Sequence, residues 1–190
     1  MANDAGIILQ LQAGDLDALG MIYDRHKQMV FRTALAITGD PDAAADLLQD
    51  VFLRLYRFIR RFDPQRPLEP WLYRMTANLA YTWVRRHRWL QPLEDVVEWF
   101  AGDRHSSPPL IVELDEQNRF IQQAISTLPI SQRIVVVMYY INDLSLQEIA
   151  EILEVPEGTI KSRLHYGRQA LKKRLGLQGA ALPDMQYEFT

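Results

Sequence analysis

Apolar residues in the first part of the chain recur at the spacing of amphipathic helices. A short segment of this kind covers Gly6–Ala13, and a longer one extends from Asp15 to Gly39. Asp15 is suited to cap a helix, and Gly39 is a natural helix end. The apolar positions of the longer segment are Leu19, Ile22, Tyr23, His26, Val30, Ala34 and Ile37. Two helices are therefore predicted before residue 40.

A third helix is predicted over residues 40–62, where Asp40 can serve as N-cap and Pro41 as the first helical residue. Its apolar stripe consists of Leu47, Leu48, Val51, Phe52, Leu55, Phe58, Ile59 and Phe62. Three prolines in residues 63–70 predict a stiff loop. Helical spacing then resumes in Trp71–Trp89, which predicts a fourth helix.

The second half of the chain contains one segment whose local signals conflict. Helical spacing covers Glu113–Leu128, and Pro129 predicts the start of a further helix. Ile134–Ile141 reads IVVVMYYI, and residues of these types favour a strand by propensity alone. Since a lone strand among helices has no partner, we predict a buried helix here.

Two short helices are predicted near the C-terminal end. Ser145 and Glu148 form an S-x-x-E capping box, so a helix is expected to begin at Leu146. Pro156 is suited to the first position of the second helix. The apolar stripe of that helix is Ile160, Leu164, Gly167 and Leu171, and its other side carries Ser162, His165, Tyr166, Gln169 and Lys173. This pattern predicts a helix-turn-helix whose second helix binds a DNA major groove. The alternative is an ordinary helical hairpin with a solvated basic face.

Between these halves, residues 93–112 are rich in acidic residues, serine and proline, which is typical of an interdomain linker. We predict an all-α fold of two small helical domains joined by a flexible linker. The predicted segments are a first domain at 1–92, a linker at 93–112, a helix-turn-helix domain at 113–176 and a mobile tail at 177–190.

Charge is unevenly distributed along the 190 residues, although the net charge is only −3. Residues 54–88 hold nine arginines against two acids, and residues 157–175 hold six basic residues against one acid. Residues 39–50 carry four aspartates and no base, and residues 93–117 carry seven acids and one arginine. This segregation indicates two nucleic-acid surfaces and separate acidic surfaces for other partners.

Acidic and amide residues occupy the exposed side of the third predicted helix. Asp46, Gln49 and Asp50 are fitted either to dock a basic partner or simply to complement the helix dipole, and their spacing alone does not separate these alternatives.

On the fourth predicted helix, arginines alternate with aromatic and amide residues. Bases stack on aromatic rings and guanidinium groups hold phosphates, so this face is suited to single-stranded nucleic acid. The residues concerned are Trp71, Arg74, Asn78, Tyr81 and Arg85, followed by Arg86 and Arg88. Trp71 is equally well explained as a core residue, and Trp83 is expected to belong to the core.

Several classes of protein and site are excluded or disfavoured. The chain has no cysteine, which excludes disulfide scaffolds and thiolate metal sites. Its longest apolar run is too short to span a bilayer, and its N-terminus lacks the basic region of a secretion signal, so a soluble cytoplasmic protein is expected. His26 has no second ligand at metal spacing, and we expect it to be a buried histidine. No phosphate loop, H-E-x-x-H motif or nucleophile–base pair predicts an enzyme, and no cofactor is expected.

Taken together, these segments resemble the extracytoplasmic-function (ECF) sigma factors, the two-domain class of bacterial RNA polymerase sigma subunits. The resemblance covers Gln12–Arg88 and Ser126–Leu175. The matching motifs, in family order, are Ala13–His26, Asp42–Tyr56, Phe62–Ala80, Leu128–Leu153 and Val155–Leu175. The resemblance implies a promoter-specificity subunit with no catalysis of its own.

The resemblance also implies roles for particular residues. It assigns binding of a coiled coil of the polymerase β′ subunit to Asp46, Gln49 and Asp50. Binding and melting of the minus-ten promoter element are assigned to Phe62, Arg66, Leu68, Trp71, Arg74, Asn78, Tyr81, Arg85 and Arg86, with Asn78 and the loop 62–68 at a trapped base. Reading of the minus-thirty-five element is assigned to Thr159, Lys161, Ser162, Arg163, His165 and Tyr166, with phosphate contacts from Arg168 and Lys172.

The implied partners are core RNA polymerase, through its β′ coiled coil and β flap, promoter DNA in duplex and melted form, and an anti-sigma factor. No membrane insertion is implied. The chain departs from the family pattern at Thr82, where members often carry an acid. It also carries His165 and Tyr166 where another member has Phe and Arg, so the preferred upstream sequence does not carry over.

Two other functions fit parts of the sequence. One is a regulator that binds duplex DNA through the C-terminal helices and senses a ligand through the N-terminal domain. The other is an all-helical adaptor that binds only protein. Adding the chain to core polymerase distinguishes the three, since only a sigma factor initiates transcription without another sigma factor.

Overall fold

The computed structural model describes residues 4–88 and 116–176. The described parts contain helices and no strand, which confirms the predicted all-α fold. The helices are α1 (Ala5–Gln12), α2 (Leu16–Thr38), α3 (Pro41–Phe58), α4 (Glu69–Arg88), α5 (Glu116–Ser126), α6 (Ile130–Tyr140), α7 (Leu146–Leu153) and α8 (Glu157–Arg174). The predicted linker at 93–112 and the tail at 177–190 lie outside the described residues.

The predicted caps of α2 and α3 are confirmed. The Asp15 carboxylate accepts a hydrogen bond from the backbone N–H of Asp17 at 2.9 Å. The Asp40 carboxylate accepts from the first two N–H groups inside α3, at 2.9 and 3.0 Å. Gly39 ends α2 in a left-handed conformation with φ of 76°, where a glycine avoids the strain a side chain would meet. Local chemistry therefore sets the ends of both helices.

Three helix boundaries differ from the prediction by a few residues. α3 ends at Phe58 and continues as a 3₁₀ turn, Ile59–Arg61, because the chain tightens before the proline-containing loop. α4 begins at Glu69, and Pro70 lies in its first turn, where its missing N–H has no helical partner to lose. Pro156 precedes α8 as its N-cap, and Glu157 is the first helical residue.

The segment with strong β propensity is helical, as predicted. α6 contains a run of fully or nearly fully buried residues consisting of Arg133, Ile134, Val135, Val136, Val137 and Met138. A helix buried on all sides needs no polar face, so packing overrides the intrinsic preference of its β-branched residues. α6 contacts α2, α4, α7 and α8, and is therefore the central helix of the C-terminal half.

The two halves of the molecule pack against each other. α2 contacts α5 and α6, and α4 contacts α6 and α7. Buried apolar residues of both halves belong to one continuous cluster. Burial also raises the pKa of the Tyr73 phenol on α4, and the side chain of Asn142 from the other half partly offsets this effect.

His26 is buried, as expected from its place on the apolar stripe of α2. Its side chain is paired with the Asp4 carboxylate, with Nε2 3.0 Å from Oδ2, and Asp4 also bonds to the guanidinium of Arg25. Asp4 and His26 are 7% and 3% exposed. A buried carboxylate is tolerated only when it is hydrogen-bonded, so Asp4 must keep these partners. The pairing therefore holds the start of α1 against α2.

The capping box of α7 yields a pH-dependent prediction. The Ser145 N–H donates to the Glu148 carboxylate at 2.8 Å, and hydrogen bonding to Ser145 lowers the pKa of Glu148. A depressed pKa stabilises the fold above the ordinary pKa of glutamate, and this contribution is lost as pH falls through the folded-state value. Because Glu148 is exposed and solvent screens its charge, Glu148→Ala should lower the free energy of unfolding by only about 0.5 kcal/mol at pH 7.

The measurement is urea unfolding of the wild type and Glu148→Ala at pH 7 and at several values down to pH 3. The difference in free energy of unfolding between the two proteins should shrink as the pH falls towards 3. Glu151→Ala, on an exposed position of the same helix, is the control. A difference that stays constant with pH would show that the carboxylate does not act through its charge.

Candidate nucleic-acid interface

The predicted helix-turn-helix is formed by α7 and α8 packed on α6. Ile160, Leu164, Gly167 and Leu171 are all buried, so the predicted apolar stripe is confirmed. At Gly167, α8 approaches α6 so closely that a Cβ atom on this residue would lie 2.8 Å from Cγ2 of Val136. This contact fixes the depth at which α8 sits on α6, and it leaves the other side of α8 free to face a partner.

The predicted reading residues lie along the accessible side of α8. Lys161, Ser162 and Tyr166 are exposed, and Tyr166 is 59% exposed. The partly exposed members of the set are Thr159, Arg163, His165, Arg168 and Lys172. Lys161 forms an ion pair with Glu157 at 3.0 Å, one helical turn earlier. An exposed pair of this kind is weak, so Lys161 can exchange it for a phosphate or a base edge.

Gln169 is a contact of this surface that sequence reasoning did not assign. Its amide nitrogen lies 2.9 Å from Nε2 of His165, and the ring of Tyr166 meets the His165 ring edge-on at 5.5 Å. The spacing of His165 and Gln169, four residues apart on a helix, was the available signal. These contacts orient the imidazole before any partner binds.

The loop before α4 and the first turn of α4 hold a stacked aromatic pair. Phe62 and Trp71 are 4.8 Å apart between ring centroids, with an interplanar angle of 18°. Both side chains are half-buried, so Trp71 has a packing contact as well as an accessible edge. Leu68, predicted at the trapped base, is 1% exposed and belongs to the core, which favours a packing role for it.

Further along α4, the predicted face forms a shallow groove of about 260 Å³ lined by Tyr81, Thr82, Arg85 and Arg86. The guanidinium of Arg85 lies 5.7 Å from the centroid of the Tyr81 ring, a cation–π distance. Thr82, which replaces the acid of the family pattern, donates its hydroxyl to the carbonyl oxygen of Asn78 at 2.9 Å. The groove thus has cationic and aromatic walls, suited to a nucleotide.

The remaining predicted residues of this surface differ in accessibility. Asn78 and Arg66 are exposed, whereas Arg74 is partly covered and paired with Glu154 in the turn between α7 and α8. Trp83 is partly buried and stacks on His87 at 4.1 Å, so it is only partly a core residue. The structure therefore brings the predicted single-stranded surface and the helix-turn-helix into direct contact at Arg74.

On α3, the predicted acidic face is exposed. Asp46, Gln49 and Asp50 are exposed, and Gln49 also borders an apolar groove of about 280 Å³. The other lining residues of the groove are Leu19, Phe52, Leu53 and Tyr56. Leu53 is 65% exposed, and sequence reasoning missed it although it lies off the buried stripe of α3. Acidic residues beside exposed apolar ones are typical of a protein-docking surface.

The described residues offer neither a candidate metal site nor a candidate membrane span. Within 4–88 and 116–176, no cluster of three or more His, Asp or Glu residues could hold a metal ion. No helix in these ranges has both the length and the apolar character needed to cross a membrane.

Comparison with known proteins identifies both halves of the chain. Residues 22–90 match the family model of Sigma-70 region 2, and residues 120–171 match that of Sigma-70, region 4. The ECF RNA polymerase sigma factor SigW of Bacillus subtilis is 37% identical over 177 residues, covering 88% of this chain and 94% of that protein.

Solved structures of two-domain helical proteins share the fold. CnrH, in complex with the cytosolic domain of CnrY, aligns with a TM-score of 0.69 at 20% identity over 93% of this chain and 99% of that chain. The sigma factor RpoE of Bartonella quintana, in complex with the anti-sigma factor NepR, aligns with a TM-score of 0.63 at 22% identity over 84% of this chain and 97% of that chain. With both halves matched in order and a relative aligned along most of its length, the chain belongs to the ECF RNA polymerase sigma factors, which are transcription initiation factors.

Proposed function

We propose that the chain acts in the cytoplasm as an alternative sigma factor that binds core polymerase, recognises a two-part promoter and melts its downstream element. The observation that supports this most strongly is the separation of two cationic surfaces, on α4 and α8, from an acidic and apolar face on α3. The cationic surfaces suit DNA, and the acidic face suits a basic protein partner.

The docking face comprises Asp46, Gln49 and Asp50 together with the adjoining groove around Leu53. We assign it to the coiled coil of the polymerase β′ subunit. Apolar groups supply burial, and the carboxylates supply orientation and a faster encounter with a basic surface. A second contact between the C-terminal domain and the β flap completes the proposed polymerase partners.

The upstream element is assigned to α8. Its exposed polar side chains lie on a helix whose depth is set by Gly167, so they can enter a major groove together. Arg168 and Lys172, towards the end of the helix, are assigned to phosphates, a contact that positions the helix without reading sequence.

The downstream element is assigned to α4 and the loop before it. Separating stacked base pairs costs about 1.4 kcal/mol per step, and capture of each unpaired base by stacking recovers roughly 1–3 kcal/mol. We assign such capture to the groove at Tyr81 and Arg85, together with the exposed amide of Asn78 one turn before it. A few trapped bases are therefore enough to hold a short bubble open.

Transcription by purified components tests the function. Starts mapped after overproduction of the chain supply the promoter, and that promoter is then transcribed by core polymerase with and without the chain. Initiation that depends on the chain alone supports the proposal. An effect of the chain that requires another sigma factor would indicate a duplex-binding regulator. No effect of the chain, with or without another sigma factor, would indicate a protein adaptor.

Two variants should separate melting from duplex binding. Asn78→Ala should impair promoter opening, measured by permanganate reactivity of unpaired thymines, while leaving binding to the upstream duplex unchanged.

Lys172→Ala should weaken binding to all duplex sequences similarly and reduce the slope of log affinity against log salt by about 0.9.

The two variants serve as controls for each other. Equal loss of opening and duplex binding in Asn78→Ala would remove that residue from base trapping. A loss confined to particular sequences in Lys172→Ala would make Lys172 a reader of bases.

Control by an anti-sigma factor is part of the proposal. The fold is shared with RpoE, which was solved with the anti-sigma factor NepR. An anti-sigma factor that covers α3 or α8 would block polymerase or promoter, and the exposed apolar residues beside the acidic face provide a surface for such a partner.

A further inference from the structure

The side-chain amide of Gln12, the last residue of α1, ties this helix to the start of the loop before α4. Its nitrogen donates to the carbonyl oxygen of Ile59 at 2.8 Å and to that of Phe62 at 2.7 Å. An amide nitrogen carries two hydrogens, so both of its donors are used here. α1 also packs on the 3₁₀ turn that begins at Ile59. A single side chain therefore holds the two ends of that turn.

The hydrogen bonds within the loop are local. The Asp63 carboxylate accepts from the N–H of Gln65 at 3.0 Å, and the Asp63 carbonyl oxygen accepts from the N–H of Arg66 at 3.0 Å. These bonds set the shape of the loop, but they do not set its position on the domain. That position is set at the far end by Leu68, which is 1% exposed, and at the near end by the bonds from Gln12.

The near end of the loop carries one ring of the Phe62–Trp71 stack, whose centroids are 4.8 Å apart. Trp71 belongs to α4, and its backbone N–H donates to the carbonyl oxygen of Leu68 at 3.1 Å. Phe62 lies outside the helices, so the bond from Gln12 and its own N–H bond to Ile59, at 3.0 Å, fix its backbone. Rings that are ordered before a base arrives bind it more tightly, because ordering them on binding costs affinity. Gln12 thus controls the ring of the stack that no helix fixes.

α1 keeps its place without this amide. Ile8 and Leu11 of α1 are buried, and Asp4, just before the helix, is paired with His26 of α2. Loss of the two bonds from Gln12, which are only partly buried, should therefore release the loop and leave the helix in place. The effect of Gln12 on the loop is separable from the fold of the domain.

We propose that Gln12 is a positioning residue for base capture: its amide holds the start of the loop 62–68, and with it the ring of Phe62, in the place that receives an unpaired base. The consequence for DNA rests on the proposed melting of the downstream element, whereas the hold on the loop does not. Gln12 acts through Phe62 and does not itself contact DNA. Because both acceptors are carbonyl oxygens, the side chain at this position must supply two donors.

Hydrogen exchange at the backbone N–H of Phe62 measures the hold on the loop without DNA. This N–H donates to Ile59, and the bond should open more often when the amide of Gln12 is removed. In Gln12→Ala, exchange at this N–H should be about tenfold faster than in the wild type. Gln10→Ala, at an exposed position of the same helix, should leave the rate unchanged. An unchanged rate in Gln12→Ala would overturn the hold on the loop.

Binding of single-stranded DNA measures the consequence for base capture. The probe is a fluorescein-labelled single strand of the mapped downstream element, bound by the full chain assembled with core polymerase. A duplex of the upstream element is the comparison. Gln12→Ala should weaken binding of the single strand by about tenfold and leave binding of the duplex unchanged. Equal losses on the two probes would reduce Gln12 to a structural residue and overturn the proposal, and so would full affinity for the single strand despite faster exchange.

A glutamate at the same position tests whether the donors matter. Gln12→Glu keeps the size of the side chain but places a carboxylate, which can only accept, opposite two carbonyl oxygens. At about pH 7 it should lose at least as much affinity for the single strand as Gln12→Ala does. Towards about pH 5 its loss relative to the wild type should shrink at least about threefold, because a protonated carboxyl regains one O–H donor. Gln12→Ala should show no such recovery, and the same pH dependence in both variants would overturn the role of the donors.

Failure of this role and failure of the sigma-factor proposal are distinguishable. The exchange measurement needs neither polymerase nor DNA. If the wild-type chain gives no promoter-specific transcript but Gln12→Ala still exchanges faster at Phe62, the sigma-factor proposal fails and the hold of Gln12 on the loop stands.

Discussion

Asp50→Arg is expected to weaken binding of the chain to core RNA polymerase by about tenfold or more. Asp50 is exposed on α3, one turn after Asp46 and beside Gln49, which borders the apolar groove. An arginine there would repel the basic surface that the docking face is proposed to meet. Co-purification and fluorescence anisotropy with labelled chain measure the change, and the loss should be smaller at high salt because the interaction is screened.

The control for this variant is a charge reversal elsewhere in the same domain. Asp24 lies on α2, its side chain is 71% exposed, and its ion pair with Lys27 is of the weak exposed kind. Asp24→Arg should therefore bind polymerase as the wild type does. Unchanged affinity in Asp50→Arg would return the acids of α3 to the simpler role of complementing the helix dipole.

Gly167→Leu is expected to lower the free energy of unfolding by about 3 kcal/mol. A Cβ at this position already meets Cγ2 of Val136 at 2.8 Å, and Val136 is 1% exposed and stiff because it is β-branched. α8 must therefore move away from α6, and binding to the upstream duplex should fall with stability. Thermal and urea unfolding, together with a duplex-binding assay, measure both effects.

Two variants show whether the loss comes from this contact. Gly158→Ala, on the same helix with nothing within 4 Å of its added Cβ, should stabilise the protein by up to about 1 kcal/mol. Val136→Ala should reduce the cost of a methyl group at Gly167, so Gly167→Ala should be less harmful in the Val136→Ala background than in the wild type. Additive effects of these two changes would show that the helices do not meet at this point.

Helix positions and most helix ends were predictable because their causes are local. The Asp15 and Asp40 caps, Gly39 and the capping box at Ser145 act within four residues of their partners, and all are present. The buried stripe of α8 follows from spacing in the same way. For α6, local propensity pointed to a strand, and the prediction of a helix succeeded because it used the neighbouring elements instead.

Contacts between the halves could not be predicted from the sequence. Arg133 and Ile37 are 96 residues apart, and Arg74 and Glu154 are 80 apart, so no periodic pattern connects them. The accessibility of side chains along α4 depends on these contacts as well as on helical spacing. For this reason the pairing of Arg74 with Glu154 was not predicted. The burial of Leu68 could not be predicted either, because it depends on how the loop before α4 folds back onto the core.

The central position of α6 restricts which substitutions the fold can accept. Because α6 touches helices of both halves, a substitution in it alters several packing surfaces at once and is expected to destabilise the fold. The outer side of α8 carries few packing constraints, as the 59% exposure of Tyr166 shows. If α8 reads the upstream element as proposed, substitutions on its outer side can change promoter preference at little cost in stability, whereas substitutions in α6 cannot.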